Sequence, residues 1–466
     1  MQPSSSSPAP GAPGPSHTEA LAEAVWRAGD AALPEEVRER LVWTLIDNVG
    51  VMLHGARLPE GVRFAALMRE RTGDPVASIP GGGGQAPVER AAAAQAFLIH
   101  AAEIDDSDLR AQLRASAGAL PALLTLAEAY DVTGSAFLKA AAAAYTAQGR
   151  LSAPSGPIQR FGWMSSGVWG PISACAAGAW MIGLKREQAV SAMGLAGSAA
   201  GGAFQYFYDQ TEEKRIVLAR AARTAVESLL WAERGEIGPG RILEGAAGLF
   251  RLFGQIEAPA ADELFGDFAE LEGVLHVLPK YFAASHSIIP TLEGIVQDVP
   301  ADLDPGAIER FVVRGDAGWG EVLADKVERF KPPETTIGAM INYTFVIALF
   351  LHRRSVMPVD YSPATLADPA ILALAAKGRY EVEPTPSDLS IELHMRDGRT
   401  WRVRARTPGR LDRAPLEADR RLAKFEALTA PHIDASARAA VIDLCRALPE
   451  AGSMRDWVRA LSERLS

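Results

Sequence analysis

Three carboxylates fall within four residues at Glu103, Asp105 and Asp106, and the hydroxyl of Ser107 follows directly. A positioned carboxylate can take or give a proton beside a reacting bond. Read from the sequence alone, however, acids this crowded are most simply a solvated turn. Other charge runs read the same way: Arg38-Glu39-Arg40 and Glu212-Glu213-Lys214-Arg215 mix their signs as solvated helix faces do. The two cysteines, Cys175 and Cys445, lie far apart with no CxxC pair, so a structural zinc site is not expected. Cys175 sits in an Ala/Gly-rich apolar run and reads as a buried, inert thiol. Pro80 and the four glycines after it read as a turn, with no Gly-Lys-Ser/Thr to make a phosphate-binding loop.

Elements long enough to position such groups are present. The chain has 466 residues, a length that favours two domains. Its hydrophobic share of 48% is that of well-filled cores. The net charge of −10 argues against a protein that tracks nucleic-acid phosphates. No apolar run reaches membrane-spanning length, and low cysteine use fits a reducing cytosol, so a cytoplasmic protein is expected. Residues 1–18 are Pro/Ser/Gly-rich and read as a disordered tail without the features of a signal peptide.

From about Glu19 the pattern is helical. Val37, Leu41, Leu45, Val49 and Leu53 recur every four residues as one buried stripe, with Gly55 as the expected C-cap. Helices are predicted over 88–102, 118–130, 134–149, 168–183, 187–204 and 214–234, many of them rich in Ala and Gly. Near 265–275 the composition shifts. Phe311-Val312-Val313 reads as a strand, and 388–395 with 400–406 reads as a hairpin around Asp397-Gly398. Helices over 288–297, 337–352 and 365–377 are interleaved, and after Pro408 the chain returns to helix at 415–428, 434–447 and 453–465. The fold class is therefore mainly α. A large helical domain (19–268) is followed by a smaller α+β lid (269–408), and the final helices (409–466) return to the helical body.

Several segments in order resemble the MmgE/PrpD family, which includes 2-methylcitrate dehydratases, cis-aconitate decarboxylases and iminodisuccinate epimerases. PEEVRERLVWTLIDNVGVMLHGA is similar to its opening helix, and GGGGQAPVERAAAAQAFLIHAAEIDDSD to its glycine loop, helix and Asp-rich signature. AMGLAGSAAGG, KRIVLARAARTAV, ILEGAAGLF, LPKYFAASHS and INYTFVIAL fall where the family has its later landmarks. The resemblance implies the same body-and-lid fold, usually as a homodimer. It also implies an enzyme with no cofactor and no metal, abstracting a proton beside a carboxylate with loss of water or carbon dioxide.

Carried over residue by residue, the resemblance places Glu103, Asp105, Asp106 and Ser107 on the Asp-rich signature. Lys214 and Lys280 fall on its two lysines, and Tyr343 on its tyrosine. His286, six residues beyond Lys280, is a further candidate proton carrier, whereas His100 is expected to cap or pack. Departures are informative. The family's His-Pro pair is Arg114-Ala115 here, its Gly-Phe-His-Pro-Thr is Gly162-Trp163-Met164-Ser165-Ser166, and the histidine of its lysine helix is Val217. Histidine is the usual acid/base near neutral pH, so these losses bear directly on mechanism. Arg114 could pin a carboxylate bidentately but cannot act as a base. Trp163, Met164, Trp169, Phe204, Tyr206, Phe207 and Tyr208 make the region aromatic, either as helix packing or as a pocket reshaped for a larger, less charged substrate. Three readings stay open. The first is a lyase or isomerase in which Lys214, Lys280 and Arg114 bind carboxylate while Glu103, Asp106, His286 or Tyr343 moves the proton. The second is a cyclase or dehydratase acting on a bulky apolar intermediate, whose pocket mainly orients the substrate; the substrate-binding candidates are Ser107, Arg114, Trp163, Met164 and Tyr206. The third is a non-catalytic binding protein. No nucleic acid or membrane partner is expected in any of them.

Overall fold

The computed structural model describes residues 14–465 except 71–72, 317–319, 321–322, 325–326, 385–388 and 406–415. Residues 1–13 of the expected tail and the expected boundary at 408/409 lie outside these. The first helix, α1 (His17–Asp30), opens earlier than the composition suggests, because Ser16 and Glu19 form a capping box.

The chain is mainly helical with a smaller α+β part. Helix α2 (Glu35–Arg57) buries the expected stripe. It is followed by α3 (Pro59–Arg69), α4 (Val88–His100), α5 (Ala115–Tyr130), α6 (Gly134–Ser152), α7 (Ser165–Met181), α8 (Arg186–Ala199), the short α9 (Gln205–Asp209) and α10 (Lys214–Glu233). Gly55 does not cap α2. It lies inside the helix, whose C-cap is Leu58, and a Cβ there would run into the carbonyl of Leu98 on α4. Small residues thus set how closely these helices approach, and Gly170 on α7 likewise lies against the backbone of Gly118 on α5. The glycine run is the turn of a two-stranded hairpin, β1 (Ala77–Ile79) with β2 (Gly84–Ala86).

Helix α8 stops at Ala199, short of the predicted 204, where Gly201 and Gly202 take φ of 156° and 124°. Pro171 inside α7 has no N–H to offer the Gly167 carbonyl, which instead accepts from Gly201 N at 3.2 Å. Met164 N donates to Gly202 O at 2.9 Å and Phe204 N to Gly162 O at 2.8 Å. One proline and two glycines therefore lay the Phe204 segment beside Met164.

The α+β part holds a four-stranded sheet in the order β4-β3-β5-β6. β3 (Ile308–Gly315) pairs in parallel with β4 (Gly378–Val382) and antiparallel with β5 (Ser390–Met395), which pairs with β6 (Thr400–Arg404). β4 was not anticipated. The expected helix 337–352 is two, Thr336–Met340 and Tyr343–Arg353, divided where Asn342 caps Phe345 N at 3.1 Å. The last helices pack on the body: Phe425, from helix Ala418–Thr429, lies against Gly50 of α2. Among the described residues no helix is long and apolar enough to cross a membrane.

Candidate active site

The acids at 103–106 are not a solvated turn; all three are fully buried. They leave the C-terminal end of α4 with Glu103 in the left-handed region at φ 52°, a strained setting for a residue other than glycine. Ser107 and Leu278 then pair backbone to backbone, N to O at 2.9 Å in both directions. That pairing delivers Lys280 to the acids. Its Nζ donates to Glu103 Oε1 at 2.9 Å, Glu103 O at 3.0 Å and Asp105 Oδ1 at 3.2 Å.

Lys214, the first residue of α10, pairs with the other Glu103 oxygen, so the two lysines converge on one carboxylate. The run 212–215 is not a solvated face either, since Lys214 and Arg215 are both buried; Arg40, in the run 38–40, is buried as well. Arg114 Nε stands 3.8 Å from Glu103 Oε1, and His100 joins from behind, its Nδ1 at 2.8 Å from Asp105 Oδ2. His100 therefore orients an acid and does not cap a helix.

Charge follows from this packing. Burial works to raise the Glu103 carboxyl, but Lys214, Lys280, His100 and Arg114 outweigh it and hold it well below its ordinary range. The same balance keeps Asp105 ionised. Burial draws Lys214 down to about 7, against the pull of Glu103 and with the help of Arg114 and Lys280. Burial likewise lowers His286 far below its usual value, reinforced by Arg114, Lys280 and Lys214. Its ring is neutral and its tautomer follows from its partners: Arg114 donates to Nδ1, while Nε2–H donates to Gln112 Oε1 at 2.9 Å.

Lys214, Arg114 and His286 line a cavity of about 750 Å³ between the helical body and the α+β part. Gln112 and Ser166 border it from the body, Ser285, Asp316 and Ile341 from the other side, and Met164, Phe204, Tyr206 and Phe207 form an aromatic and apolar wall. Phe204 stacks on Phe207 at 4.9 Å and meets Tyr206 edge-on at 5.2 Å.

Six expected site residues do not line this cavity. Glu103 lies beneath the lysines, with both oxygens committed to them. Asp106 is deeper still: it accepts from Ser116 N at 2.9 Å and Asn48 Nδ2 at 3.0 Å, serving the opening turn of α5, and burial raises it to about 6. Tyr343 bonds Thr291 Oγ1 at 2.5 Å inside the α+β part and does not line the cavity, although Ile341 two residues before it does. Trp163 turns from the cavity onto Phe253, ring centroids 4.9 Å apart. Ser107 and Lys280 instead border a crevice of about 30 Å³ that shares Leu109 and His286 with the main cavity. Val217 is core, packed against Gly167 and Gly202. Gln112 and Ser166, whose Oγ accepts from Arg114 N at 2.7 Å, were not anticipated. Among the described residues no group of three or more His, Cys, Asp or Glu is arranged to hold a metal ion.

Comparison with known proteins agrees with this geometry. A curated protein of Aspergillus oryzae, described as cis-aconitate decarboxylase-like protein oryM, is 27% identical over 227 residues, 47% of each chain. The chain thus matches about half the length of that relative. The MmgE/PrpD N-terminal domain matches residues 19–261 and the MmgE/PrpD C-terminal domain residues 282–448. The chain belongs to the MmgE/PrpD family.

Proposed function

We propose that this protein is a lyase or isomerase of the dehydratase or decarboxylase type, acting without a metal on a carboxylated small molecule. The observation that carries the reading is a cavity whose floor sets the Lys214 ammonium and the Arg114 guanidinium beside a neutral imidazole, His286. The name of the Aspergillus relative, a cis-aconitate decarboxylase-like protein, supports the same class of reaction. The open cavity speaks for an enzyme over a binding-only descendant.

A substrate carboxylate would take the Arg114 fork and the Lys214 ammonium, which together hold the charge that builds on it when the neighbouring C–H bond breaks. Arg114 now donates to His286 Nδ1; once it turns to the carboxylate, that lone pair is released. His286 would then take the proton from carbon at Nδ1 while Gln112 keeps Nε2–H in place. In dehydration the C–H electron pair forms the double bond as the C–O bond breaks, and Lys214, near 7, supplies the proton that leaves with hydroxide as water. In decarboxylation the C–C bond breaks, its electron pair stays on carbon as carbon dioxide leaves, and the Lys214 ammonium, near 7, gives that carbon its proton. Glu103 and Asp105 fix the lysines throughout.

The test is a panel of hydroxy and unsaturated carboxylic acids incubated in D2O and read by mass spectrometry. Loss of water or carbon dioxide, or gain of deuterium, is expected. Lys214→Met and His286→Gln should each abolish it with the circular dichroism spectrum unchanged. Full rates in both variants would remove the assignment. The family resemblance further suggests a cytoplasmic homodimer, which light scattering would show as twice the mass of the chain.

A further inference from the structure

The cavity is chemically divided. At its floor three cations, Lys214, Lys280 and Arg114, face two anions, Glu103 and Asp105. Burial lowers His100 against the pull of Asp105 and Glu103, whereas at His286 burial is reinforced by Arg114, Lys280 and Lys214, so the His286 ring adds no charge near neutral pH. Among the groups in ion-pair contact there, cations outnumber anions three to two while Lys214 is charged, and the cluster reaches the cavity through Lys214 and Arg114. That arrangement suits one carboxylate. A tricarboxylate would need more cations than the floor spares: Arg110 is paired with Asp108 at 3.2 Å, which leaves the exposed Arg160 guanidinium, over the Phe161 ring at 4.6 Å, as the further cation on the lining. Asp316 adds a carboxylate of its own to the wall.

Met164, Phe204, Phe207 and Ile341 line the same cavity and present apolar surface that a small polyacid would leave wet. About 750 Å³ is also the scale of pockets that enclose drug-sized ligands.

We propose that the cavity takes an amphipathic carboxylic acid, its carboxylate on Lys214 and Arg114 and its apolar chain or ring against Met164, Phe204, Phe207 and Ile341. The proposal rests on the reading of this cavity as a carboxylate-handling active site. It gives the division of the wall a purpose: the floor fixes the acid end beside His286, and the aromatic wall selects what the acid carries.

Titration calorimetry on the full chain tests it with butanoate, hexanoate, octanoate and citrate. Each added methylene should tighten binding about fourfold, the worth of burying one CH2, and citrate should fail to displace octanoate. Affinity that is flat in chain length, or citrate binding tighter than octanoate, would overturn the inference. Two variants locate the ligand. Phe204→Ala, at a half-buried position where truncation leaves the core intact, should cost octanoate about tenfold and leave butanoate unchanged. Lys214→Met should weaken both acids at least tenfold. Octanoate binding that is indifferent to both substitutions would place it on some other apolar surface, and the inference falls. These are binding measurements, so they separate from turnover. Chain-length dependence without turnover of any acid would remove the lyase reading and keep the amphipathic ligand. Turnover of citrate-class acids with no chain dependence would do the reverse.

Discussion

Two buried lysines in this molecule face acids and do different work. Lys424, on the helix Ala418–Thr429, meets Asp47 of α2 with Nζ at 2.7 Å from Oδ1 and 2.9 Å from Oδ2, and donates to Ile104 O at 2.7 Å. The pair is one cation to one anion, and neither member lines the cavity or the crevice. Lys214 shares its acid with Lys280 and Arg114, belongs to a cluster with one cation in excess, and opens onto the cavity. Burial lowers the ammonium pKa in both, so a shifted pKa does not separate a tie from a site. Charge balance and access to a cavity do.

The comparison breaks most visibly in stability. Lys424→Met strands Asp47 in the core and should cost about 3–5 kcal/mol, the penalty of an uncompensated buried charge. A shift of the urea midpoint would read it, and the double variant Lys424→Met with Asp47→Leu should recover part of the loss. Lys214→Met leaves Glu103 with Lys280 and Arg114 still beside it, so its midpoint should move less than half as far. Equal shifts would mean that both lysines are structural ties.

A second effect is smaller and depends on pH. The Lys214 pKa is lowered to about 7, so its charge is present below pH 7 and is lost above it. Carboxylate affinity should therefore be level below pH 7 and fall by up to tenfold per pH unit above it. Lys214→Met should flatten that slope, and Lys424→Met, studied in conditions where it stays folded, should keep it. A slope unchanged in Lys214→Met would assign the titration to another group.

How much of this could be read in the sequence depends on how local each cause is. The helix stripe 37–53, the Ala/Gly-rich helices and the Asp-Gly hairpin follow from spacing within one element. Lys214 and Lys280 followed from resemblance, and the structure brings both to Glu103. The burial of that acid was not legible, because its partners lie 111 and 177 residues away. Tyr343 matched a motif position, yet its hydroxyl is taken by Thr291, 52 residues away in the chain. Trp163 reads as pocket lining because it stands in the segment that replaces the family's Gly-Phe-His-Pro-Thr, but its side chain packs on Phe253 while that of Met164 lines the cavity. Gln112 carried no signal at all. It adopts φ 55° as a residue type that does not advertise the left-handed region, and only the fold shows it against His286.

That residue offers the finest test of the contrast between the two lysine clusters. Gln112 is half-buried at the cavity wall, and its Oε1 accepts from His286 Nε2. Gln112→Glu keeps the acceptor and the shape, gives up the donation from Nε2 to Leu109 O at 2.7 Å, and adds one negative charge, so the ion-paired cations and acids would balance as Asp47 and Lys424 do. If the excess charge is what draws a carboxylate, octanoate affinity should fall a few-fold, below the tenfold of a fully buried charge because solvent screens a half-exposed carboxylate. The new carboxylate would also favour the imidazolium of His286, moving its titration upward in a histidine-resolved NMR series. The urea midpoint should barely move. Unchanged affinity together with a raised His286 titration would show that the charge arrived and the ligand does not sense it, and charge excess would then cease to be the mark that separates the site from the tie.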